Sequence, residues 1–149
     1  MATVITTVDH QQLRTLLPHS GTMCLLDRVS DWDEQRIACT AVSHRDVDNP
    51  LREGGRLPIE AGIEYAAQAM AIHGTLCARA RAANSAPRIG YLAVLSRVEW
   101  QCQRLDEVVG ELVVRAEKLM VSDGGSSYRF SLDSGGETLL SGEALVALE

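Results

Sequence analysis

The chain has 149 residues, 46% apolar and 23% charged, a balance that fits one domain with a real core and argues against disorder. Its net charge of -6 and pI near 5.2, with 14 Lys and Arg residues scattered rather than gathered, speak against a phosphate-backbone binder. "MATVITTVDH" has neither a basic n-region nor an apolar h-region, so the reading is a soluble, cytoplasmic protein with no nucleic-acid or membrane partner.

A short amphipathic helix is predicted over about Asp9 to Leu17, with Leu13, Leu16 and Leu17 inward and Pro18 ending it. Two strands follow, "MCLLDRVSDW" (23–32) and "RIACTAVSH" (36–44), joined by the polar turn Asp33-Glu34-Gln35. A loop from Arg45 to Leu57 contains Asn49-Pro50 and Gly54-Gly55. Pro58 opens a long alanine-rich helix, with Glu60 well placed for its dipole; it stops near Asn84, and Pro87 forbids continuation. Glu60, Glu64, Gln68, His73 and Arg79 interrupt this helix too often for a membrane span.

Four more strands follow at 89–100, 110–121, 127–133 and 137–149. "SDGGS" and "DSGGE" supply the hairpin turns between the last three, since paired glycines provide the positive φ such turns need. Strands interrupted by one long helix indicate an α+β fold, with a curved, mostly antiparallel sheet wrapped around that helix as a single domain over 1–149. One such layer leaves sheet edges open, so pairing with a second copy is expected.

Four widely spaced cysteines, Cys24, Cys39, Cys77 and Cys102, form no C-x-x-C pair and read as reduced, small apolar residues. His73 and Cys77 have helical metal-ligand spacing, but no further ligands cluster near them, and neither metal nor cofactor is expected. Glu60, Glu64 and Gln68 form a narrow i, i+4, i+8 stripe on a helix otherwise apolar almost all round. Either this is the solvent-facing strip, or it lines a cavity in which a desolvated Glu64 donates a proton and Gln68 orients it. His19, in a loop before a strand, is the next candidate, ahead of His10 and His44. Gly54 and Gly55, just before the helix, either form a donor pocket for a carbonyl oxygen or are plain loop. No G-x-S-x-G elbow or Walker motif is present, so the candidate chemistry is acid–base work by His and Glu.

"LPHSGTMCLLDRV" (17–29) resembles, without a gap, the LPH-x-x-P-x-LL-x-DRV signature of bacterial 3-hydroxyacyl-acyl-carrier-protein dehydratases, with Thr22 replacing the proline. "PIEAGIEYAAQA" is similar to their helix motif P-G-V-x-x-x-E-A-x-A-Q, matching at Pro58, Glu64, Ala67 and Gln68. The pattern is most like the dehydratase-like hotdog proteins of aryl polyene biosynthesis clusters. The resemblance implies a hotdog fold and removal of water from a 3-hydroxyacyl thioester on an acyl carrier protein, giving a trans-2-enoyl thioester. It also implies a dimer in which a histidine and the helix carboxylate come from opposite subunits and flank an acyl tunnel, while backbone amides near the helix N-terminus hold the thioester carbonyl.

The chain departs from the family just before the helix. There the family carries its catalytic histidine in a G-H-F-P segment, whereas "NPLREGGRLP" has none. The catalytic pair is then Glu64 with His19, or with a histidine of a hotdog partner, and Gly54, Gly55 and Gln68 are the candidate substrate-binding residues. A hotdog thioesterase and a catalytically silent partner subunit are the alternatives.

Overall fold

Side-chain alternation and turn chemistry build one sheet. A computed structural model, which describes residues 7–16, 24–82, 90–122 and 124–148, contains two helices, α1 (His10–Arg14) and α2 (Ala61–Arg81). Its six strands are β1 (Arg28–Trp32), β2 (Arg36–Ala41), β3 (Gly90–Trp100), β4 (Leu112–Ser122), β5 (Gly125–Ser134) and β6 (Glu137–Leu148). They run in the order β1-β2-β4-β5-β6-β3, and every neighbouring pair is antiparallel. Alternate residues bury one face: Ile37, Cys39 and Ala41 on β2, Leu112, Val114 and Ala116 on β4, Tyr128, Phe130 and Leu132 on β5, and Leu140, Ala144 and Val146 on β6. The helix α2 packs against this face, so the sheet wraps it as expected.

On the opposite face, cross-strand register sets out a row of alternating charge. Arg36 stands beside Glu117, Glu117 beside Arg129, and Arg129 beside Glu143, which also meets Arg97. The ion pairs among them are 3.8–3.9 Å apart and largely open to solvent, so each adds little stability.

Local chemistry moves several element ends from their sequence positions. Asp9 caps α1 in a capping box with Gln12, and the helix ends at Arg14 with Leu13 and Leu16 buried; Leu17, Pro18 and His19 lie outside the described residues. The first strand begins at Arg28, with the Asp27 N–H still reaching Thr40 O (2.7 Å), while further upstream the Leu25 N–H is drawn to Gln68 Oε1 (2.9 Å).

Helix α2 starts at Ala61 rather than Pro58. Pro58 bridges Arg104, the Ile59 N–H donates to Gln103 O (3.0 Å), and the Leu57 N–H donates to Asp106 Oδ1 (2.9 Å). Residues 57–59 are thus strapped to the 103–106 loop. Arg104 donates to both Asp106 oxygens and holds that carboxyl well below the usual carboxylate range.

Close approach explains two glycines. A Cβ on Gly62 would fall 2.7 Å from Leu140 Cδ2 and 2.9 Å from Leu132 Cδ2, so the first turn of α2 lies directly on the sheet. A Cβ on Gly125 would fall 2.0 Å from the Val146 carbonyl oxygen, a backbone atom that cannot yield without breaking the β5–β6 pairing. Gly125→Ala is therefore expected to cost about 3 kcal/mol or more, read as a lowered urea midpoint. A midpoint unchanged from the parent would show that the hairpin tolerates displacement there.

Candidate active site

Helical geometry decides where Glu64 points. Glu60, Glu64 and Gly74 are exposed and Ala67, Ala71 and Ala78 half-buried, forming one open stripe along α2. Gln68 departs from the predicted i, i+4, i+8 strip. It is buried and its Oε1 accepts from the Leu25 N–H, so it fastens segment 24–27 to the helix rather than sharing solvent with Glu60 and Glu64. Glu64 thus stands at the border between the open stripe and the buried flank.

Tyr65 turns the other way and is fully buried. Its hydroxyl meets Ser43 Oγ at 2.7 Å and accepts from Asn49 Nδ2 at 3.0 Å. Asn49 Nδ2 also donates to Ser43 O, and Asn49 Oδ1 accepts from the Leu51 N–H. Arg52 completes this loop by donating to the carbonyls of Asp46 (2.8 Å), Gly55 (2.7 Å) and His44 (3.4 Å). These residues were not singled out from sequence, although Tyr65 stands where the resembled motif has alanine.

Gly54 and Gly55 form the tip of a tight hairpin. The Glu53 N–H donates to Arg56 O and the Arg56 N–H to Glu53 O, with φ of +58° and +79° at the two glycines. That two-residue turn needs the positive φ that glycine allows, and its tip lies six residues before the start of α2. The first amides of α2 are also occupied: Ala61, Gly62 and Ile63 donate to Pro58, Ile59 and Glu60 carbonyls.

The described histidines are all committed to backbone. His10 Nδ1 lies 3.3 Å from Asp27 O. His44, buried in the 3-10 turn Ser43–Arg45, donates from Nε2 to Val108 O at 3.1 Å, and burial pushes its pKa below the ordinary 6.5. His73 is buried with Nε2 donating to Asp33 O (2.7 Å), so its Nδ1 accepts from Tyr128 OH (2.7 Å); burial lowers its pKa too. Cys77 Sγ sits 3.5 Å from His73 Nε2, and burial raises its thiol pKa. The His73/Cys77 spacing thus serves the core, and no cluster of three or more candidate metal ligands occurs among the described residues.

A groove of about 520 Å³ lies on the sheet face away from α2, walled by Arg36, Arg115, Arg129 and Glu117. Glu64 is not among its lining residues and is exposed among the described residues of the single chain.

The profile of the ApeP dehydratase family matches residues 11–148. The chain belongs to this family. Among solved structures it is similar to the dehydratase heterocomplex ApeI:P from Xenorhabdus doucetiae, at 23% identity and a TM-score of 0.81, covering 92% of this chain and 90% of that one. It is also similar to a mutant thioesterase from Pseudomonas aeruginosa (13% identity, TM-score 0.64, covering 94% and 93%). A thioesterase from Haemophilus influenzae matches at the same identity and TM-score, covering 94% and 90%. Comparison with curated proteins gives no match. Six antiparallel strands around one long helix, shared with these structures, are the hotdog fold. Among the described residues of this ApeP-family chain, no helix is long and apolar enough to cross a membrane.

Proposed function

We propose that the protein dehydrates 3-hydroxyacyl thioesters carried on acyl carrier protein to trans-2-enoyl thioesters, in aryl polyene or fatty-acid-like biosynthesis. The observation that carries this reading is the Glu64 carboxylate on the open stripe of α2, in a chain of a dehydratase family. Glu64 acts as the general acid that protonates the departing 3-hydroxyl. His19, or a histidine of a partner subunit, removes the proton from the α-carbon. The electron pair of that C–H bond becomes the double bond as the C–O bond breaks, and water leaves. Gln68, by fixing segment 24–27 against the helix, shapes the wall beside the substrate.

The site is completed by a second hotdog subunit. Two observations support this. The β1 edge is occupied by a bridge from Val8 to Val29, whereas β3 forms the other sheet edge and exposes Val94, Leu95 and Trp100. The similar ApeI:P structure is itself a heterocomplex. A subunit laid along β3 and the α2 stripe closes an apolar passage for the acyl chain and excludes water from around the carboxyl group. Those are the conditions under which a carboxylic acid serves as a proton donor.

The thioesterase reading draws on the missing G-H-F-P histidine, and product mass separates the two. The protein, alone and with a hotdog partner, is incubated with a 3-hydroxyacyl carrier protein, and the carrier's intact mass is followed. Loss of one water supports dehydration. Loss of the whole acyl group establishes hydrolysis instead, and an unchanged carrier in both settings removes the enzymatic reading.

A further inference from the structure

We infer that Tyr65 is a positioning residue for Glu64, through a hydrogen-bond chain with a single direction; this rests on the role proposed for Glu64. A carbonyl can only accept, so Ser43 Oγ must donate its proton to Leu25 O (2.7 Å). Ser43 Oγ then accepts from Tyr65 OH (2.7 Å), and Tyr65 OH accepts from Asn49 Nδ2 (3.0 Å). The chain runs Asn49 to Tyr65 to Ser43 to the Leu25 carbonyl, with no alternative orientation. The same Leu25 peptide donates its N–H to Gln68 Oε1, which closes the circuit back onto α2.

The helix is therefore gripped at Tyr65 and Gln68, three residues apart and on one flank. Glu64 lies beside that flank, at the edge of the open stripe. Rotation of α2 about its axis would have to break both grips, so the circuit sets the angle at which the carboxylate leaves the helix. It also ties that angle to the 43–51 loop, because Asn49 holds Ser43 O and the Leu51 N–H at the same time. The motif alanine that Tyr65 replaces has no hydroxyl to make this link. The loop without the G-H-F-P histidine is thus locked to the helix by the phenol.

Tyr65→Phe removes the hydroxyl and keeps the ring. With dehydration measured well below the melting temperature, Tyr65→Phe and Ser43→Ala are each expected to lower kcat about tenfold while KM moves less than about twofold. Ser43→Thr, which keeps a hydroxyl, is expected to stay near parental turnover, and the Tyr65→Phe/Ser43→Ala double variant to be no slower than the slower single one. Hydrogen exchange of the 43–51 and 61–68 segments is expected to quicken together in Tyr65→Phe. Unchanged kcat in both single variants, with Glu64→Gln inactive in the same assay, overturns the inference and leaves the role of Glu64 standing. Full activity of Glu64→Gln removes the proposed function instead. In that case the exchange measurement still judges the circuit, and exchange unchanged in both segments overturns it.

Discussion

Glu64→Gln is expected to reduce dehydration by about a hundredfold or more while leaving the melting temperature close to the parent's. The first half follows from its proposed role: a positioned general acid supplies about a hundredfold to ten-thousandfold, and a glutamine amide cannot deliver a proton to a departing hydroxyl. The second half follows from exposure. In the single chain, on which the melting temperature is read, Glu64 is solvent-accessible in the first turn of α2, where losing its charge forfeits only a helix-dipole contribution of about 0.3–1 kcal/mol. Glu60→Gln is the control, one turn earlier on the same stripe with the same charge and exposure. If the stripe acts through its negative charge, the two variants lose activity equally. If Glu64 is the acid, only Glu64→Gln does.

His73→Leu is expected to cost about 3 kcal/mol of stability. The imidazole is buried between Tyr128 and Trp32, with edge-on ring contacts to both, and joins α2 to β5 and to the β1–β2 turn. Leucine fills similar space but leaves the Asp33 carbonyl and the Tyr128 hydroxyl without the ring nitrogens they meet now. Each buried polar group so stranded costs about 1–3 kcal/mol. Urea midpoints of parent and variant check the figure, and a difference below about 1 kcal/mol would show that water reaches both groups.

The same residue sets an acid sensitivity. Its folded pKa lies below the ordinary 6.5, chiefly because burial opposes the charge and outweighs the hydrogen bond to the Asp33 carbonyl. The unfolded chain therefore binds the proton first. Stability is full above about pH 6.5 and is lost as pH falls through the depressed folded value. His44 contributes with the same sign. The slope of stability against pH between about 6.5 and 5 should be shallower in His73→Leu, and an identical slope would assign the sensitivity elsewhere.

Much of this fold is visible in the residues themselves. Glycine pairs at 124–125 and 135–136, between alternating strands, mark hairpins that the structure makes, and an alanine-rich stretch too long and too apolar for a surface helix marks one that a sheet encloses. What local pattern could not show is set by partners distant in sequence. Pro58 is a favoured helix opener, yet its backbone is recruited by Arg104, so α2 begins three residues later. Glu64 and Gln68 share a helical spacing, but segment 24–27 lies over only one of them, and that makes one an exposed acid and the other a buried anchor. Gly54-Gly55 looks like any flexible loop until Glu53 and Arg56 are seen to pair across it as a tight hairpin. Tyr65 carried a readable signal, an aromatic at a motif position that is otherwise small, but its partners Ser43 and Asn49 lie 22 and 16 residues away.

As proposed above, Glu64 works only when a second subunit covers the stripe on which it stands. Dehydration measured over a dilution series, with the mass of the assembly recorded at each concentration, tests this directly. Turnover per chain is expected to fall in step with the loss of the assembled species, whether that is a dimer of this chain or a complex with another hotdog subunit. Full turnover by a species with the mass of one chain would contradict it.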